Sequence, residues 1–221
     1  TFCDAIAAAG LEIDYIVSNH AEPDHSGAIP TLLKTYPEAV VLCSPKCAEN
    51  LVNMLGADPS RIRAVADGEE VSLGGRTLKF IMAPWVHWPD TMVTHLVEDN
   101  FLFSCDYFGA HYTDNELFAD CSENLAEAAK RYYSEIMMPF RGFCAKYLEL
   151  ARAMNPKMIL PSHGPVYDRP EFIMNLYAEW VSDKFARKVV MPYVSMYDNT
   201  RIMVDYLENA LQSRGVTVVR A

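Results

Sequence analysis

Four ligand-type side chains fall within six residues at His20-Ala21-Glu22-Pro23-Asp24-His25, directly after the apolar stretch Tyr15-Ile16-Val17. No other feature limits the fold as tightly. Close packing has no use for imidazoles and carboxylates at that density, because a buried unpaired charge is costly. A loop at the carboxyl end of a buried strand can turn several side chains to one point, and α/β proteins gather their ligand sites there.

Three further strand ends finish in the same residue types. His87 follows the predicted strand Thr77–Met82 inside Trp85-Val86-His87-Trp88-Pro89-Asp90, Asp106 follows Phe101–Ser104, and His163 follows Met158–Leu160. The set holds four imidazoles and three carboxylates, counting His20, Glu22, Asp24, His25, His87, Asp106 and His163. That is too many for one tetrahedral zinc and suits two metals bridged by a carboxylate. His95 lies mid-strand and reads as an ordinary hydrogen-bonded histidine.

Between these points the apolar period alternates. Ser26 predicts a helix start running to about Tyr36, Val40–Cys43 a strand, and Pro45 a helix to about Leu55. Gly74-Gly75 marks a hairpin between Glu70–Leu73 and Thr77–Met82, and Asp99-Asn100 a turn between Met92–Val97 and Phe101–Ser104. Ser122 to Met154 is helical, broken at Pro139, and a helix follows from Pro170 to about Ser182. This order predicts an α/β layered protein with helices covering sheet faces. A charged stretch, Asp183 to Lys188, then separates a final unit: Val189–Val194, a helix over Thr200–Arg214 and Val216–Val219. The pattern is βαβ, the opening of a doubly wound domain.

Composition removes other classes. The net charge of −10 argues against nucleic-acid binding and a polybasic membrane surface. No apolar run approaches the roughly 18 residues that span a bilayer, and the first residues lack a signal peptide's basic region. Six cysteines without a CxxC pair read as reduced thiols of a cytoplasmic protein. The chain opens in a helix-like stretch without an initiator Met and closes on a strand, so it reads as an excerpt of a longer polypeptide.

The motifs HxExDH, HWPDT, SCD and SHGP, in that order, resemble those of the flavodiiron proteins, also called A-type flavoproteins. Hydrolytic relatives with the metallo-β-lactamase fold carry HxHxDH at the first motif, whereas Glu22 stands at the middle position here. A carboxylate is a harder, anionic donor than imidazole and favours iron. The resemblance implies a metallo-β-lactamase-like αββα sandwich over residues 1–185 and the first βαβ unit of a flavodoxin-like FMN domain over 186–221. It implies two irons, one held by His20, Glu22 and His87, the other by Asp24, His25 and His163, with Asp106 bridging; in some members the residue matching His25 is not a ligand. It also suggests roles beside the metals for His111 and Tyr133.

Ser195-Met196-Tyr197-Asp198-Asn199-Thr200 opens the last predicted helix with hydroxyls, an amide and backbone N–H groups, the chemistry of an anion site and equally of ordinary caps. The resemblance makes it the FMN phosphate loop. Asp198 is a departure, since a carboxylate beside a phosphate repels it unless turned away. The function implied is reduction of O2 to water, or of NO to N2O, with electrons passing from a rubredoxin-like donor through FMN in a head-to-tail homodimer. The alternative is a binuclear metallohydrolase of thioesters or phosphodiesters, against which Glu22 and the flavodoxin-like tail both argue. A scaffold that has lost catalysis ranks last, because no ligand is missing.

Overall fold

The computed structural model describes residues 2–221, which form two compact units, the first ending at Val181 and the second running over Ser182–Ala221. In the first unit β1 (Tyr15–Ser18), β2 (Val40–Cys43) and β3 (Ile62–Ala64) make a parallel sheet. A second sheet runs in the order β4 (Glu70–Ser72), β5 (Thr77–Met82), β6 (Met92–Leu96), β7 (Phe101–Cys105), β8 (Met158–Pro161). Its first four strands are antiparallel, and β8 joins β7 in parallel.

The period of two along a strand sorts side chains to opposite faces and so builds the layers. On β2, Val41 and Cys43 pack with Ile29, Leu33, Cys47 and Leu51 from the helices α3 (Ile29–Thr35) and α4 (Pro45–Leu55). Leu42, pointing the other way, packs with Leu78, Phe80 and Met92 of the second sheet. The far face of that sheet, with Val93, Leu102 and Ile159, is covered by α5 (Glu123–Tyr132), α6 (Arg141–Met154) and α7 (Pro170–Trp180). The result is the αββα sandwich. One hydrogen bond near the first ligand loop ties the sheets directly, from Met92 N–H to the Asn19 carbonyl at 2.9 Å.

Several boundaries differ from the sequence reading, each for a local reason. Ser26 does not start a helix. Pro23, suited to a first helical turn, nucleates a short helix α2 (Pro23–Ser26), and Ser26 ends it, donating to the carbonyls of Ala21 (2.7 Å) and Glu22 (3.0 Å). Asp24 and His25 are therefore helical rather than in a loop. Between α5 and α6 the backbone widens into a π turn over Tyr133–Met137 and tightens into a 3-10 turn at Met138–Phe140, where Pro139 has no N–H to continue the helix.

The second unit pairs β9 (Lys188–Met191) in parallel with β10 (Thr217–Arg220) across α8 (Asn199–Gln212). The strand β9 ends three residues before the predicted Val194, with Pro192 following directly.

Candidate metal centre

All seven predicted ligands lie in the segments that follow β1, β5, β7 and β8 of the first unit, and the fold gathers them into one cluster. His20 leaves β1, Glu22 caps α2, Asp24 and His25 lie within α2, His87 follows β5, Asp106 follows β7, and His163 follows β8. The chain leaves β7 through Cys105 at φ 56° and turns again through Phe108 at φ 70°, both in the left-handed region that costs an L residue about 1 kcal/mol. Such outliers persist where the surroundings hold them, and here they bracket the most buried carboxylate of the cluster.

The donors form two groups, each close enough to hold one ion. His20, Glu22, His87 and Asp106 make the first, and Asp24, His25 and His163 the second. The Asp106 Oδ2 atom lies 3.8 Å from His20 Nε2 and 3.4 Å from His87 Nε2. Its Oδ1 lies 3.1 Å from His25 Nε2 and 3.2 Å from His163 Nε2. One carboxylate thus offers a separate oxygen to each group. Glu22 Oε2 completes the first at 3.2 Å from His20 Nε2 and 3.3 Å from His87 Nε2. Asp24 completes the second, with oxygens 3.5 Å from His25 Nε2 and 3.3 Å from His163 Nε2.

These spacings fit shared coordination. Two ligands at right angles around an ion with bonds of about 2.1 Å stand about 3 Å apart. Nε2 of His25 is buried and, although close to Asp106, lacks the alignment of a hydrogen bond. An imidazole nitrogen without a partner in a buried place calls for an electrophile. Imidazole and carboxylate oxygen without thiolate suit iron. The Cys105 thiol lies within reach of His25 and Asp106, but burial and the Asp106 charge push it well above its ordinary range, so it stays protonated.

Electrostatics hold the cluster together. Burial alone would raise the Asp106 carboxyl, but the imidazoles of His163, His25 and His87 that face it outweigh burial and hold the group far below the carboxylate range. Burial lowers His20, yet the hydrogen bond and charge of Asp90 raise it overall. For His25 burial again opposes, and the neighbouring Asp106 carboxylate prevails. For His163 the Asp106 hydrogen bond is the largest influence and raises it.

Two residues at the site carried no role in the sequence reading. Asp90 is fully buried; both its oxygens lie 3.2 Å from His20 Nδ1, and Oδ2 accepts the Ala21 N–H at 2.8 Å. Tyr132 donates its hydroxyl to Asp106 Oδ1 at 3.1 Å. The only hint of Asp90 was its place in the segment that carries His87.

The tyrosine that reaches the centre is Tyr132, not Tyr133. One helical residue is a 100° turn, and Tyr133 faces the other way, its hydroxyl donating to the Trp180 carbonyl at 3.3 Å and pushed up to about 12 by burial. His111 is exposed and stands one ring outside the cluster, edge-on to Tyr132 at 4.9 Å and to His163 at 5.8 Å.

In the second unit Asp198 precedes α8 at φ 60° and makes no side-chain cap. Its carboxylate accepts from Arg201 Nε at 3.0 Å, which depresses it below the usual range. Ser195 Oγ accepts the Arg201 N–H at 3.3 Å, and Met196 and Tyr197 are almost fully exposed. Asn199 and Thr200 form the first turn of α8.

Comparison with known proteins agrees with this geometry. The family profile described as ODP family beta lactamase matches residues 5–164. The anaerobic nitric oxide reductase flavorubredoxin of Salmonella arizonae is 36% identical over 206 residues, covering 90% of this chain and 43% of that protein. Among solved structures, the rubredoxin oxygen:oxidoreductase of Desulfovibrio gigas superposes with a TM-score of 0.85 at 30% identity, over 97% of this chain and 56% of that one. The flavodiiron protein of Giardia intestinalis superposes with a TM-score of 0.84 at 32% identity, over 99% and 55%. The chain spans about half the length of the curated relatives it matches. It belongs to the ODP family of β-lactamases, and the proteins it resembles in sequence and structure are flavoproteins and flavodiiron proteins.

Proposed function

We propose that the cluster binds two irons and that the chain is the metal-bearing part of a reductase of O2 or NO. His20, Glu22 and His87 would hold one iron, Asp24, His25 and His163 the other, and Asp106 would offer one oxygen to each. The observation that carries this reading is the division of the Asp106 oxygens between the two donor groups. A hydrogen-bonded structural carboxylate has no need to face four imidazoles.

An iron pair of this kind supplies electrons and a template for a diatomic substrate. The protein's share is orientation. Tyr132 directs a proton at Asp106 Oδ1 and limits the rotation of the bridge. Asp106 and His20, almost wholly buried, keep water from the rear of the centre. Glu22 and Asp24, the more exposed ligands, face the side from which a small substrate arrives.

The reductant in this reading is FMN, fed by a rubredoxin-like donor, with its phosphate held by the loop Ser195–Thr200 at the start of α8. The loop fits the group in one respect that matters: the Asp198 carboxylate is engaged by Arg201 and so partly neutralised. The names of the flavorubredoxin and of the rubredoxin oxygen:oxidoreductase support this donor and both substrates.

A head-to-tail homodimer would bring the flavin of one subunit to the metal-binding residues of its partner. An exposed aromatic surface beside the centre supports it: Trp85, two residues before His87, stacks on Phe140 at 6.0 Å and 23°, next to exposed Phe143 and Met138. Among the described residues no helix is long and apolar enough to cross a membrane. Free cysteines support a reducing cytoplasmic setting.

The test is metal analysis with anaerobic turnover. Two irons per chain, with O2 or NO consumed when reduced flavin is supplied to the dimeric holoenzyme, is the expected result. Two zincs with esterase activity would overturn it in favour of hydrolysis.

A further inference from the structure

We infer that Asp90 is a positioning residue that sets the tautomer and angle of His20, so that the first metal position is held more firmly than the second. The inference rests on the two-iron reading. Both Asp90 oxygens lie 3.2 Å from His20 Nδ1, and the carboxylate and the imidazole are each fully buried. A carboxylate is an acceptor only, so the proton must sit on Nδ1, which leaves Nε2 with a free lone pair. That Nε2 is the atom facing Glu22 and Asp106.

The carboxylate is itself fixed. Its Oδ2 accepts the Ala21 N–H at 2.8 Å, and the Asp90 carbonyl accepts the Ser44 hydroxyl at 2.6 Å. Ser44 also caps α4, accepting the Cys47 N–H at 3.0 Å. The end of β2, the start of α4 and the loop after β5 thus converge behind one imidazole. The Trp88 ring, edge-on at 4.9 Å, closes another side.

The second metal position has no such support. Among the described residues the carboxylates near His25 and His163 all face Nε2, the ligating atom, and none backs Nδ1. Metal-ligating histidines held by an outer carboxylate lose 10–100-fold in metal affinity when it is removed. The loss here falls on one ion of the two.

Asp90→Asn keeps the shape but removes the charge and turns one of the two oxygens facing His20 Nδ1 into an N–H donor, leaving a single neutral oxygen to serve both the His20 Nδ1–H and the Ala21 N–H. Iron titration of wild-type and variant chains, read as bound metal per chain, tests the inference. The expected result is one site at wild-type affinity and one weakened 10–100-fold. Two sites at wild-type affinity in a folded variant would overturn the role of Asp90 and leave the two-iron reading standing. A wild-type chain that takes up no metal would overturn both.

If the variant does not fold, nitrogen NMR of the zinc-loaded wild-type chain decides. His20 protonated on Nδ1 and bound through Nε2, with that proton slow to exchange, is expected. Ligation through Nδ1 would overturn the inference. A merely structural Asp90 would move neither the tautomer nor the asymmetry between the two metals.

Discussion

The two donor groups contain the same kinds of side chain in different surroundings. In the first, His20 is fully buried, braced by Asp90 and packed against Trp88. In the second, Asp24 is half exposed and His163 over a quarter exposed. The difference teaches that ligand identity and ligand rigidity come from separate places. Identity is local to a strand end, whereas rigidity depends on what stands behind the ring. The His20 ring of the first group is braced from behind by a carboxylate, and the His163 ring of the second meets carboxylates only at Nε2.

The comparison is best broken at the bridge. Asp106→Asn removes the charge shared by both groups and should lower iron content at both positions and cut turnover more than about 100-fold, since a bridge serves two ions. Iron analysis showing both metals at full occupancy would end the bridging assignment.

His20→Ala against His163→Ala sharpens the contrast in the metal-free chain. Removing His20 leaves Asp90 buried without its partner and should cost about 3 kcal/mol of stability. Removing His163, which is partly exposed, should cost under about 1 kcal/mol. Equal denaturation midpoints would show that burial does not separate the two groups.

Gly109→Ala probes the bridge from behind. A Cβ there would sit 2.9 Å from Tyr132 Cζ and 3.0 Å from the Asp106 carbonyl oxygen, too close for either to remain in place. The cost should be about 1–3 kcal/mol. Tyr132→Phe, which only deletes the hydroxyl on Asp106, should cost about 1 kcal/mol and lower turnover with both irons retained. Glu22→His, the mildest change in total stability, should shift the first position toward zinc while the second keeps iron, as read by metal analysis after growth in mixed metals. Unchanged iron loading would remove the argument from donor hardness.

Much of this site was legible before any coordinates, for a specific reason. Each ligand follows an apolar run, and strand ends of one sheet direction open on the same rim, so residue type and position together mark the cluster. The layers were legible as well, because the alternation at Val40–Cys43 separates two faces by simple period. The start of α2 was not, since Ser26 and Pro23 both carry helix-start chemistry and only the tight carbonyl contacts of Ser26 show which prevails. Tyr132 and Tyr133 are indistinguishable in a sequence, because the helix phase that separates them depends on how α5 docks on the second sheet.

Chemistry at the rim is written into the order of residues: which donors exist, that carboxylate replaces imidazole at Glu22, and that a βαβ unit follows. Convergence is not. The placing of Asp90 behind His20, seventy positions apart in the chain, and the allotment of one Asp106 oxygen to each donor group arise from the meeting of two sheets. Short-range preferences act over a few residues, while the distance between two strand ends is set by the packing of the layers between them.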